Sequence, residues 1–189
     1  MAAHPALTTK AQYLASERSA DERHEFVHGH VYAMAGASRN HLGITAALSS
    51  ELRNSLRGGR CRNLDQDTKV WIERAEAYFY PDASVSCPPN FVDAPNGIID
   101  NPTAIFEVSS TGTESLDEGP KFAAYRELDS LRDYVVIDSR TRSLRVYSLE
   151  GGTWLVRRYT EEQTVPIPSL GIELNLDEIY RFAEFSSPC

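Results

Sequence analysis

Asp82 and Glu107 are the residues of this sequence whose type and setting could do chemistry. Asp82 lies in the run AYFYPDASVSC, from Ala77 to Cys87, which reads as a strand closed by Pro88 and Pro89. In that strand Tyr80, Asp82 and Ser84 share one face, and Phe79, Ala83 and Val85 share the other. Glu107 stands between Phe106 and Val108 in the apolar run from Thr103 to Ser109. An ionised carboxylate in an apolar strand is costly unless paired. Two of them in neighbouring strands repel unless a cation or a shared proton intervenes. A hard divalent ion such as Mg²⁺, with Mn²⁺ as its substitute, answers both problems. It takes one or two carboxylates, keeps several waters and sits ~2.0–2.1 Å from its oxygens. The two carboxylates are therefore expected about 3–5 Å apart, sharing one ion.

Lys121 is the third member. With Pro120 at the first helical position, it falls in the first turn of a helix after the Glu107 strand. If Ser115 to Glu118 forms a capping box instead, the helix starts earlier and Lys121 still lies within its first two turns. A lysine near a helix N-terminus forgoes ~0.3–1 kcal/mol of dipole energy, which a nearby pair of carboxylates would offset. Its ammonium is thus expected within about one water of Asp82 and Glu107. Other candidates have plainer readings. His41, near a helix start, could contact phosphate, but a capping or core histidine is the better reading. Asp67 and Lys69 have a D-x-K spacing but lack an apolar run around them, so they read as an edge or turn. Asp117 and Glu118 cap the helix. Arg140, Arg142, Arg145, Arg157 and Arg158 could touch a nucleic-acid backbone, or simply make a solvated edge that resists aggregation.

Several elements must position these groups. A threonine cap begins a short helix over Thr8 to Ser16. Glu25 to Met34 reads as two short strands turning near His28 and Gly29. Asn40 to Leu56 is the strongest helix, with Leu42, Thr45, Ser49, Leu52 and Leu56 at helical spacing and Gly58 and Gly59 as the stop. Thr68 to Ile72 alternates weakly. Asn90 to Pro102, rich in turn residues, is expected at the surface. Tyr134 to Asp138, Ser143 to Ser148 and Thr153 to Tyr159 are strands, the last two joined by a turn at Glu150, Gly151 and Gly152. The order predicts an α/β fold in one domain over residues 1–189, a mixed β-sheet flanked by helices with a trailing hairpin. The Thr103 and Tyr134 strands, joined by a helical crossover, should be parallel.

Composition bounds the rest. With 189 residues and 41% hydrophobic content, the chain can build one sizeable core. No apolar stretch approaches the ~20 residues of a membrane span. The opening MAAHPALTTK does not read as a secretory signal, so a cytoplasmic protein is expected. The 19 basic and 27 acidic residues give a net charge of -8, a poor basis for tight nonspecific phosphate binding. Cys61, Cys87 and Cys189 imply neither a zinc site nor a disulfide framework.

Pro81-Asp82 followed by Glu107-Val108-Ser109 resembles the PD-(D/E)XK nuclease signature, and the chain is most similar to its Uma-two branch of bacterial restriction endonucleases. The resemblance extends in order through Glu25 to Gly29, Asn40-His41, Lys121 to Arg126 and Leu131 to Asp138. It implies a restriction-endonuclease-like core and Mg²⁺-dependent cleavage of DNA. It also implies that Glu25 completes the metal shell, with a surface salt bridge as an equal alternative. The superfamily lysine two residues after the acid is Ser109 here. The branch carries its lysine in the following helix, which points to Lys121. A catalytically silent, nuclease-derived binding or assembly module is the alternative, and a small-molecule metalloenzyme a third reading. A homodimer would let one site face each strand of a duplex.

Overall fold

A computed structural model describes residues 7–34, 36–110 and 119–185. Helix α1 (Lys10–Glu17) starts where Thr9 and Gln12 close a capping box. Its Tyr13 is fully buried and stacks on Phe26 at 5.1 Å and Tyr78 at 5.4 Å. Strands β1 (His24–Val27) and β2 (His30–Ala33) form a hairpin turned by His28 and Gly29, both at positive φ. Gly29 is required on two counts: its φ is 83°, and a Cβ there would lie 3.0 Å from Leu7.

Helix α2 (Arg39–Ser55) is capped by Ser38, whose hydroxyl accepts from the His41 N–H. Its buried stripe is Ile44, Leu48 and Leu52, whereas Leu42 is 56% exposed. Both this stripe and the expected one fit a helical period, and Leu52 belongs to both. The larger apolar side chains of Ile44 and Leu48 win over Thr45 and Ser49 because they bury more apolar surface.

The strands build two six-stranded sheets and a small third one, rather than the single sheet expected from sequence. The first runs β2-β1-β5-β4-β8-β7, with β4 (Lys69–Ile72), β5 (Ala77–Phe79), β7 (Phe91–Asp93) and β8 (Ile98–Ile99). The second runs β12-β11-β10-β9-β6-β3. Its members are β3 (Arg62–Asp65), β6 (Ala83–Ser86), β9 (Ala104–Ser109), β10 (Asp133–Asp138), β11 (Ser143–Glu150) and β12 (Thr153–Tyr159). The division falls inside the Ala77 to Cys87 run. Pro81 has no N–H for a ladder, so the chain bends there and β5 and β6 enter different sheets. The loop after Pro89 is also not wholly superficial: Ile98 and Ile99 are buried and pair with β4.

As expected, β9 and β10 are parallel, joined by a crossover containing α3 (Pro120–Tyr125), and β11 and β12 make the hairpin. A further hairpin, β13 (Thr164–Ile167) with β14 (Ile172–Asn175), and the short α4 (Leu176–Ile179) follow. The central strands β6, β9 and β10 of the second sheet are buried on both faces. Phe106, Val108, Val135 and Ile137 pack against α2 and the β13–β14 hairpin. Ile105, Tyr134 and Val136 pack against Val70, Ile72 and Phe79 of the first sheet and against α3. This explains why β9 is apolar on every side of Glu107.

One expectation is overturned outright. Cys61 and Cys87 form a disulfide with a sequence separation of 26 residues. They flank the paired ends Arg62 and Ser86 of β3 and β6, a register that two distant cysteines in a sequence do not reveal.

Candidate active site

Glu107 is 3% exposed, on the β9 face that looks toward α3 and the first sheet. Two groups of α3 reach it. Tyr125 donates its hydroxyl to Glu107 Oε1 at 3.3 Å, and Lys121 Nζ lies 3.7 Å from the same oxygen. The spacing of four residues puts both side chains on one face of the helix. Lys121 also lies 2.8 Å from Glu25 Oε1, contributed by β1. The three polar ends are largely withdrawn from water, and the ammonium sits 5.6 Å from the centre of the Phe79 ring. Helix α3 begins with Pro120, placing Lys121 in its first turn. The capping box proposed for Ser115 to Glu118, with Asp117 and Glu118, lies outside the described residues.

Asp82 is not in mid-strand. It lies in the bend between β5 and β6, where the β6–β9 ladder ends with Ala83 opposite Phe106. The Val108 N–H is therefore met by a side chain: Asp82 Oδ2 accepts it at 2.7 Å. Val108 follows Glu107, so both acids attach to the same point of β9. The other oxygen, Oδ1, is 3.1 Å from His41 Nε2 on the first turn of α2. The structure thus gathers Glu25 and Glu107 around the Lys121 ammonium, and pairs Asp82 with His41 at the Val108 N–H next along β9.

Other candidates stand apart. Asp67 pairs with Arg23 at the surface. Lys69 is buried, its amine pushed down by that burial and lying 5.3 Å from the Tyr80 ring centre. Arg140, Arg142 and Arg157 pair with Asp138, Asp177 and Glu150.

Two supporting features escape a reading of local pattern. Tyr125 is fully buried, and its hydroxyl is held well above the usual phenol range by burial and by the charges of Glu107 and Glu25. It therefore remains a donor to Glu107 across the physiological range. Its sequence signals are its place in the Lys121 to Arg126 run and its position one helical turn after Lys121. Glu17 of α1 makes the second feature. Its Oε1 accepts from the Tyr80 hydroxyl at 3.0 Å and from the His24 N–H at 3.0 Å. These bonds anchor the residues just before Pro81-Asp82 and just before Glu25.

Buried phenols give a test at high pH. Burial raises the hydroxyls of Tyr13, Tyr80, Tyr125 and Tyr180 strongly, and that of Tyr78 to about 12. Their neutral forms are favoured in the fold, so this contribution is whole below the unfolded value of ~10 and is lost as pH rises beyond it. Absorbance at the phenolate band should show only part of the nine tyrosines titrating before alkaline unfolding. All nine ionising together in the folded state, near pH ~10, would contradict this packing.

The donor chemistry fits a hard divalent ion. Asp82 and Glu107 offer carboxylate oxygens, and each is itself hydrogen-bonded, by the Val108 N–H and by Tyr125, as ligating carboxylates commonly are. Among the described residues no group of three or more His, Cys, Asp or Glu converges as a ready metal cluster, and no helix is long and apolar enough to cross a membrane.

Comparison with known proteins adds to this geometry. Residues 11–178 match the Uma2 family, described as "Putative restriction endonuclease". An uncharacterized protein of Synechocystis sp. is 34% identical over 175 residues, covering 92% of each chain. A second from the same organism is 35% identical over 152 residues, covering 79% of this chain and 86% of the relative. The fold is similar to a crystal structure described as a "putative nuclease belonging to DUF820" from Anabaena variabilis. The TM-score is 0.70 at 16% identity, covering 94% of this chain and 99% of that one.

Proposed function

Since this chain belongs to the Uma2 family, we propose that it is a metal-dependent phosphodiesterase that cuts DNA. The observation that carries the reading is Lys121, held between Glu25 and Glu107 at 2.8 and 3.7 Å, with Asp82 bonded to the N–H of the residue after Glu107 at 2.7 Å. Asp82 and Glu107 would hold Mg²⁺, or Mn²⁺ in its place, with Glu25 as a further carboxylate. A bound divalent ion supplies Lewis acidity toward the scissile phosphate and a lowered pKa for water. Lys121 neutralises charge that develops on the phosphate oxygens as water attacks in line with the leaving oxygen. Tyr125 fixes the orientation of Glu107, and His41 that of Asp82. No covalent protein intermediate is needed.

Plasmid nicking in Mn²⁺ tests the reading, comparing the wild type with Glu107→Ala. Nicking that depends on both the metal and Glu107 is the expected result. No cleavage of any DNA by the wild type would instead favour a nuclease-derived binding module. That second reading draws on the net charge of -8 and on Ser109, which is fully buried where the superfamily places its lysine.

Tyr125→Phe refines the assignment, because it removes one hydroxyl and leaves the ring in the core. Loss of an outer partner of a ligating carboxylate typically costs 10–100-fold in metal affinity or activity. The Mn²⁺ concentration giving half-maximal nicking should therefore rise about tenfold or more. An unchanged metal requirement would make Tyr125 a packing residue only.

A further inference from the structure

We propose that Tyr32, with His30 beside it, is a stacking platform for an unpaired nucleotide base, so that the substrate strand enters the site single-stranded. This rests on the phosphodiesterase reading and adds the substrate form to it. Strand β2 is the edge of the first sheet, and all four of its residues are exposed. Tyr32 presents a large ring to solvent, 54% exposed. The β1–β2 register sets Tyr32 directly opposite Glu25, the residue that reaches Lys121 at 2.8 Å. Residues opposed in an antiparallel pair share a face, with Cβ atoms roughly 4.5–5.5 Å apart. His30, two residues earlier, lies on that same face, its ring 6.4 Å from that of Tyr32. Val31, between them, points the other way, as does its partner Phe26, which packs under α1. Two aromatic rings therefore stand at the exposed edge of the first sheet, on the same face of the β1–β2 ladder as Glu25.

Charge and chemistry agree on this occupant. A chain with a net charge of -8 draws little affinity from counterion release. Arg140, Arg142 and Arg157 are already committed to carboxylates. Stacking on an aromatic ring does not need positive charge, is tolerant of sequence, and is worth about five- to a hundredfold in affinity per base. It also demands an accessible base face. In an uninterrupted duplex both faces are covered by neighbouring base pairs, whereas a single strand, overhang or flap leaves them open.

The test uses the full chain with Ca²⁺ in place of Mg²⁺, so that binding is read without cleavage. Fluorescence anisotropy is measured on a labelled single strand of about 12 nucleotides and on the matching duplex. Tyr32→Ala is expected to weaken the single strand about tenfold or more relative to the duplex, while Tyr32→Phe stays within about twofold of wild type. If Tyr32→Phe is as weak as Tyr32→Ala, the hydroxyl rather than the ring is used and the platform is wrong. Equal weakening of both substrates, or none, overturns it as well. Mn²⁺ cleavage on the same substrates separates the two levels. Wild-type cleavage that is indifferent to Tyr32→Ala removes the platform and leaves the phosphodiesterase. Neither binding nor cleavage by the wild type removes both.

Discussion

Lys121→Ala should lower Mn²⁺-dependent DNA cleavage by a factor of ~10²–10³, the typical loss when a preorganised group that meets developing charge is deleted. The geometry explains both the size and the selectivity. The ammonium lies 2.8 Å from Glu25 and 3.7 Å from Glu107, largely screened from solvent, where an electrostatic contact is stronger than in water. Its Cα is on the first turn of a six-residue helix whose core contacts come from Phe122 and Tyr125, so the fold should survive the truncation. Lys121→Arg should rescue poorly, since a planar guanidinium cannot take the place of a compact ammonium between two carboxylates. Plasmid nicking by wild type, Lys121→Ala and Glu107→Ala checks the assignment. Equal cleavage by all three would place the activity elsewhere. Loss with Glu107→Ala alone would leave Lys121 as a structural counter-ion.

The largest expected effect on stability belongs to Phe106→Ala. Phe106 is fully buried on the β9 face opposite Glu107, in the cluster with Leu48 and Leu52 of α2 and with Val135 and Ile137 of β10. Removing a core phenyl ring costs about 3–5 kcal/mol in lost transfer energy and residual cavity. For a chain of this size that corresponds to a fall in Tm of roughly 6–20 °C. Val156→Ala, on the exposed edge of the second sheet, should change stability by only about 0.5 kcal/mol or less. Thermal melts of the two variants decide the matter. A Phe106→Ala cost below about 1 kcal/mol would mean that this face of β9 is not packed as described.

Much of the local structure was legible in the sequence because local rules produce it. Thr9 caps α1, His28 and Gly29 turn the first hairpin, and Gly151 and Gly152 turn the β11–β12 hairpin, each at positive φ where the glycines permit it. The apolar run around Glu107 announced a strand buried on both faces, and the helix between it and the next strand announced a parallel pair. The cost of an unpaired carboxylate in such a strand singled out Glu107 without any partner being known.

Partners were another matter. Nothing in a period of two or 3.6 says which sheet a strand will join. The run from Ala77 to Cys87 looked continuous, yet Pro81 divides it between two sheets, and Asp82 is found at the bend instead of within a ladder. Helical spacing in α2 allowed two stripes, and only packing against β9 and β14 selected Ile44, Leu48 and Leu52. The same holds for the contacts of Lys121 with Glu25, Asp82 with His41, and Cys61 with Cys87. Each joins residues on separate elements, and each depends on strand register and layer packing. Which groups would be costly to leave unpaired follows from local pattern, because burial and charge are properties of a residue and its near neighbours. What pairs with them does not, because partner choice is set by long-range contacts that form when the two sheets and their helices close on one another.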